Sequence, residues 1–361
     1  MGPPNRPEVP VCVPFHTQND LDRRGGSGYI SPDLEDICID EVCATLGVRD
    51  HVTSTGVEIS PAQTGGEFLP DEGYFTSPGE AFGPRSITLS IGPIVIAIGG
   101  LSTRQSEGLG SRYHPFVVRE AGAPDVRVTL RRAGVDRFLQ FRGGPGGETY
   151  RLESRLSGPR LTLWSYEFAG FIEATARRAE LALTSDEGPL FDRGLENFLR
   201  VLTASFILQR GGFLLHASGI VRRGKAYVFF GPSGSGKTTV TDLSPDDVVL
   251  SDDLTLVIRS GGGYEAAGIP FGLAHHRVPE TRASFPIASL NRLVQSSEVR
   301  REPLPAARAV AEVAGSLPFV MQETAQSAQA VDVVARALEQ VPAWRLHFRK
   351  DGDFWNVVEE R

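Results

Sequence analysis

The run Gly231-Pro-Ser-Gly-Ser-Gly236-Lys237-Thr238 constrains this chain more than any other. It meets the pattern G-x-x-x-x-G-K-[ST] at every fixed position. An apolar run, Lys225–Phe230, leads directly into it. The sequence therefore predicts a strand, a phosphate-cradling loop and a short helix reaching about Leu243. Glycines let successive backbone N–H groups converge on phosphate oxygens with no side chain in the way. The helix that follows adds the positive end of its dipole. Lys237 offers a compact ammonium to the outer phosphates, and Thr238 offers a hydroxyl to Mg²⁺. Candidate nucleotide-binding residues are Gly231, Ser233, Gly234, Ser235, Gly236, Lys237, Thr238 and Thr239, with ATP and Mg²⁺ as cofactors. Only three of the 37 basic residues are lysine (Lys225, Lys237 and Lys350), so Lys237 stands where an otherwise arginine-using chain did not use arginine.

A carboxylate is expected at the end of a neighbouring strand to complete such a site. Val-Val-Leu-Ser-Asp252-Asp253 supplies two, with thirteen residues separating Thr238 from Asp252. Adjacent strand residues point to opposite faces, so one can serve the metal while the other reaches an attacking hydroxyl as base. Upstream, Phe213–Val221 reads as a strand and Arg222-Arg223-Gly224 as a tight turn into Lys225–Phe230. Two antiparallel strands joined there would carry His216 back toward the loop.

Strand with His, glycine turn, strand, loop, then a strand ending in Asp-Asp: LLHASGI, GKAYVFF, GPSGSGKT and VVLSDD follow in that order. In this the chain resembles the catalytic domain of HPr kinase/phosphorylase and its kinase-like relatives, which share a fold with phosphoenolpyruvate carboxykinase. The resemblance is strong over roughly 210–275 and fades toward 348, where WRLHF followed by FWNVV looks like the closing hairpin of that group. It does not extend to residues 1–190. The resemblance implies Asp252 as general base, His216 and Lys237 as further catalytic residues, and Thr238, Asp253 and Glu265 as metal ligands. The bifunctional enzymes carry Glu-x-Arg-Gly after the Asp pair, whereas Glu265-Ala266-Ala267-Gly268 keeps the Glu and Gly without the Arg. That departure implies a one-way kinase.

The rest of the chain reads less sharply. Residues 1–84 form a Pro- and Gly-rich leader with one short helix expected from Ser31 to Gly47, its apolar face at Leu34, Ile37, Cys38, Val42 and Leu46. Residues 85–190 read as a β-rich module, with strands at Ile87–Ile91, Val95–Ala97, Val126–Leu130, Phe138–Gln140, Tyr150–Glu153 and Arg160–Trp164. Arg119, Arg127, Arg131, Arg132, Arg137 and Arg142 offer groups for a phosphate or an acidic peptide, but their spread over alternating strand faces reads as the polar side of a half-buried sheet. Residues 191–361 form the ATP-binding domain, opened by a buried helix over 190–210 with Leu195, Phe198, Leu199, Leu202, Phe206 and Ile207 at helical spacing. Spacing at Val310, Val313, Ala314 and Leu317, and at Val331, Val334 and Leu338, reads as core, and His275-His276 as surface loop. The expected class is α+β or α/β: an HPr-kinase-like P-loop domain with a mixed sheet behind a β-rich N-terminal module.

A net charge of −7 argues against a nucleic-acid partner, and no apolar run approaches membrane-spanning length. The N-terminal segment lacks the apolar core of a secretory signal, and Arg6 stands where myristoylation needs Ser or Thr. Cys12, Cys38 and Cys43 have neither disulfide-framework nor zinc spacing and fit a reducing, cytoplasmic setting. The expected activity is ATP- and Mg²⁺-dependent phosphorylation of a hydroxyl on a peptide, a protein or a small metabolite. The alternative is a nucleotide-binding switch without transfer. The sequence leaves a homo-oligomer open.

Overall fold

The computed structural model describes residues 79–119, 122–134, 138, 152–271, 279–320 and 324–359. The helix expected at 31–47, the three cysteines, Arg137, Arg142, His275-His276 and the strand expected beyond Phe138 lie outside them. The protein is a mixed α/β structure with two mixed β-sheets. Among the described residues no helix is long and apolar enough to cross a membrane.

The first sheet comprises β1 (Arg85–Ile91), β2 (Ile94–Leu101), β3 (Val126–Arg132), β4 (Leu152–Ser157), β5 (Arg160–Ser165), β6 (Phe168–Glu173) and β7 (Arg178–Leu183). Its order is β1-β2-β3-β7-β6-β5-β4. The central β2–β3 and β3–β7 pairs are parallel and the rest antiparallel. Strict alternation puts Ile87, Leu89 and Ile91, then Ile94, Ile96 and Ile98, then Val126, Val128 and Leu130 on the buried face. Between β2 and β3 the chain forms helix α1 (Thr103–Arg112), which the sequence reading did not place. Gly108, Gly110 and a polar majority hide it, but Ser102 and Gln105 form a reciprocal capping box at its start.

Helix α2 (Gly188–Gln209) follows, with Pro189 in its first turn. It packs on β2, β6 and β7 of the first sheet, and on the strand Phe213–Arg222 and the helix Thr324–Leu338 of the second half. One continuous core runs from Ile87 through α2 to Val341. Each apolar side chain fully buried along α2 contributes about 1.5–3 kcal/mol relative to exposure. A helix buried on nearly all sides has little room for polar groups. Yet Glu196, Asn197, Arg200, Thr203 and Ser205 are all buried within it.

The second sheet contains β8 (Phe213–Arg222), β9 (Lys225–Phe230), β10 (Val248–Ser251), β11 (Leu254–Ser260), β12 (Gly263–Gly268), β13 (Phe285–Gln295), β14 (Arg300–Pro303) and β15 (Ala343–Phe348). Helix α3 (Lys237–Asp242) follows the loop, and α4 (Ala306–Ala314) and α5 (Thr324–Leu338) lie between β14 and β15. Only β9–β13 and β13–β15 are parallel. Successive pairings β8–β9–β13–β12–β11–β8 close on themselves. The Phe354–Glu359 segment is a helix, α6, rather than the second strand of a closing hairpin. The spacing of Phe354, Trp355 and Val358 buries one helical face against Tyr227, Phe229 and Phe348, and the Trp355 indole N–H donates to Ser244 Oγ at 2.9 Å.

Candidate functional site

Strand β8 organises the site. On one edge its second half pairs with β9, with Ala217 opposite Phe230, so the chain leaves β9 into Gly231 beside His216. On the other edge β10 and β11 run along β8 in succession. Ser251 lies opposite Gly219 and Leu254 opposite His216. The two pairings share one register, which sets Asp252 and Asp253 in the gap facing Ser218 and Ala217. A long apolar strand thus carries the loop on one side and the two carboxylates on the other, both level with His216.

Short polar contacts lock this arrangement. The Ser218 hydroxyl is 2.9 Å from the Lys237 carbonyl oxygen and 3.3 Å from that of Asp252, tying loop to carboxylates. Ser251 Oγ accepts from the backbone N–H groups of Asp253 (3.1 Å) and Leu254 (2.8 Å), which fixes the turn. His216 Nε2 lies 3.3 Å from Asp253 Oδ1, and an Arg200 Nη2 approaches Asp253 Oδ2 to 4.0 Å. Arg200 is buried on α2 and also donates to the Phe271 carbonyl at 3.1 Å.

The loop has the backbone that its glycines license. Gly231, Gly234 and Gly236 have φ of 153°, 77° and 107°. A Cβ on Gly236 would sit 2.5 Å from the Phe348 ring, and one on Gly231 would sit 2.8 Å from Ser235 Oγ. The Lys237 ammonium is buried and donates to the carbonyls of Gly231 (2.9 Å) and Pro232 (3.2 Å). Burial lowers its pKa to about 8; nearby Arg292 adds to the lowering and Asp253 opposes it. Ser235 Oγ is buried with no hydrogen-bond partner. A loop with no room for a Cβ at Gly231 or Gly236, a buried ammonium resting on carbonyls and an orphaned hydroxyl together fit a phosphate group. Thr238 and Ser233 are exposed at the loop's rim and Thr239 is half-buried.

Of the residues named from sequence, the structure brings together Gly231–Thr239, His216, Asp252 and Asp253. It does not bring Glu265 to them. Glu265 lies opposite Ile258, about 16 Å along β11 from Asp253 at ~3.3 Å per residue. Its carboxylate accepts from the Ser284 hydroxyl instead. Among the described residues no three His, Cys, Asp or Glu side chains cluster as a metal cage, so a cation here would depend on Thr238, Asp253 and phosphate oxygens.

Two arginines escaped the sequence reading. Arg292 lies on β13 opposite Phe230, held by Glu312 on α4 at 2.7 Å, with its guanidinium beside Gly231. Arg200 comes from α2. Neither belongs to a local motif. Arg292 reaches the loop through a parallel strand pairing, and Arg200 through helix packing.

Behind Arg200, Glu196 is buried one turn back on α2, where its Oε1 accepts from the Tyr113 hydroxyl at 3.1 Å and lies 3.5 Å from Arg112 Nη1. Burial raises its pKa to about 7, against the pull of Arg200 and Arg112. Between the ordinary value of 4.5 and about 7 the unfolded carboxyl ionises while the folded one keeps its proton. This contribution is therefore complete below 4.5, is lost as pH rises through about 7, and is flat above. The loss is on the order of 3 kcal/mol. Glu196→Gln should remove that slope: denaturant unfolding should find the variant stabilised relative to wild type above pH 7 and unchanged in acid. Parallel pH profiles for the two proteins would refute the assignment.

The model of a family described as SynChlorMet cassette protein ScmC matches residues 198–361, from within α2 to the end of the chain. No curated protein matches the chain.

Proposed function

We propose that the chain is an ATP- and Mg²⁺-dependent kinase acting on a hydroxyl, with an HPr-kinase-like fold in its second half. The acceptor is a Ser or Thr of a peptide or protein, or a small hydroxylated metabolite. The observation that carries this reading is the convergence at β8: phosphate loop, His216 and two carboxylates at one level, joined through Ser218. A site built only to hold nucleotide has no use for a second carboxylate there.

The roles follow from chemistry. The loop N–H groups, Lys237 and Arg292 would hold the phosphates, and Thr238 and Asp253 the Mg²⁺. Bound Mg²⁺ supplies charge neutralisation on the phosphate oxygens. His216 and Arg200 orient Asp253. Asp252 accepts the acceptor's hydroxyl proton as its oxygen forms the new bond to phosphorus and ADP departs. Transfer then depends chiefly on positioning and electrostatics.

The direct experiment incubates the protein with γ-labelled ATP and a panel of hydroxyl-bearing peptides and metabolites. Label should pass to an acceptor in wild type and not in Lys237→Ala. ATP binding with no transfer to any acceptor, and no slow hydrolysis, would favour the switch. Reversal should fail. Ala267, where the bifunctional enzymes have Arg, is buried on β12 opposite Leu256, leaving no cation at that position to hold inorganic phosphate. Phosphorylated product plus inorganic phosphate should therefore give no pyrophosphate, and substantial release would sink the one-way reading.

A further inference from the structure

Acidic and basic side chains alternate from the N-terminal half to the site: Asp192, Arg112, Glu196, Arg200 and Asp253, with His216 against the last of them. Arg112 Nη2 pairs with Asp192 at 2.6 Å and its Nη1 lies 3.5 Å from Glu196. Glu196 and Arg200 stand one turn apart on α2, the spacing at which side chains of a helix are neighbours, and the Arg200 charge favours the ionised Glu196 carboxylate. Arg200 reaches Asp253 at 4.0 Å, and Asp253 meets His216 at 3.3 Å. Glu196 and Arg200 are each almost fully buried, with 3% and 4% of their surface exposed. Burying two charges in the core is costly unless they are held in place, and water does not screen them there. Arg200 Nε is buried with no hydrogen-bond partner, so the guanidinium is only partly satisfied by the Phe271 carbonyl and Asp253.

We propose that Arg200 is a positioning residue for Asp253, and that Glu196, gripped by Arg112 and Tyr113 of the N-terminal half, competes with Asp253 for its charge. The N-terminal half thereby sets how strongly the site's metal-facing carboxylate is neutralised. The inference rests on the proposed Mg²⁺ role of Asp253 and supplies that site with a means of regulation. Stronger pairing with Arg200 leaves Asp253 less charge for a cation; weaker pairing leaves more. A change that shifts Arg112 or Tyr113, such as a partner docking on α1, would reach the site through α2.

The consequence is a pattern of opposite signs that no merely structural role produces. The measurement is calorimetric affinity for ATP with and without Mg²⁺, at a pH well above about 7 where Glu196 is ionised. Glu196→Gln frees Arg200 for Asp253 and should weaken the Mg²⁺-dependent part of the affinity by about three- to tenfold. Arg200→Met releases Asp253 and should strengthen it by a similar factor. Arg112→Met, in the other half of the chain, leaves Glu196 to draw harder on Arg200 and should strengthen it by about two- to threefold. Thermal unfolding of each variant checks that it is folded. If Arg200→Met does not fold, the Glu196 and Arg112 variants still carry the test. Wild-type affinity in both, or shifts of the same sign, would overturn the relay and leave the kinase reading standing. A wild type that binds no Mg·ATP would overturn both.

Discussion

Asp252→Asn is expected to bind Mg·ATP almost as wild type does and to transfer phosphate about 10²–10⁴-fold more slowly, the usual worth of a positioned general base. The substitution keeps the shape of the side chain and removes only its ability to take a proton. The backbone should hold, because the Ser251 hydroxyl fixes the turn through the N–H groups of Asp253 and Leu254, and Ser218 reaches the Asp252 carbonyl rather than its carboxylate. Asp253→Asn should do the reverse. It removes the charge that faces His216 and Arg200, so the Mg²⁺-dependent part of ATP affinity should fall. The paired measurement is ATP affinity and phosphate transfer, or slow hydrolysis, on both variants. A nucleotide switch predicts that Asp252→Asn leaves every activity as it was. Two variants that bind and turn over ATP like wild type would leave the kinase reading without support.

Lys237→Ala is expected to weaken Mg·ATP binding or turnover by roughly 2–4 kcal/mol, because one phosphate-facing cation is lost from a preorganised site. The ammonium is buried and rests against the carbonyls of Gly231 and Pro232, so removing it leaves a small polar hollow without collapsing the loop. The loop's shape has other supports. Gln295 donates to the Gly234 carbonyl at 2.6 Å, and the Phe348 ring lies under Gly236. Lys237→Arg should fail as well. A planar fork does not fit where a compact ammonium is buried against the carbonyls of Gly231 and Pro232.

Much of the site was legible because its signals are local. The loop needs particular residues at fixed spacing, and the strands on either side of it are continuous apolar runs. The turn at Arg222–Gly224 folds β9 back on β8, which was enough to bring His216 near Gly231 from sequence alone. What escaped depends on distant parts of the chain. Arg292 reaches the loop because β13 runs parallel to β9, a pairing between segments far apart in sequence. Arg200 sits in a helix whose burial the apolar spacing predicted, but that spacing does not say which polar residue faces a carboxylate. Glu265 shows the opposite error. Its place after the Asp pair suggested a ligand, whereas the antiparallel β11–β12 register carries it away from the turn. Helix α1 was hidden by two glycines and a polar majority, and its capping box of Ser102 and Gln105 is a finding of the structure. At the C-terminal end, an apolar cluster read as a strand is a helix, because three large side chains at helical spacing have one aromatic face to cover.

Titration of Mg·ATP into wild type and Lys237→Ala, side by side in the calorimeter, tests the assignment of the site most directly. The account predicts binding to wild type and an affinity lower by about 30- to 1,000-fold in the variant, the equivalent of the 2–4 kcal/mol above. Equal affinity in the two proteins, or no binding to wild type at all, would contradict it.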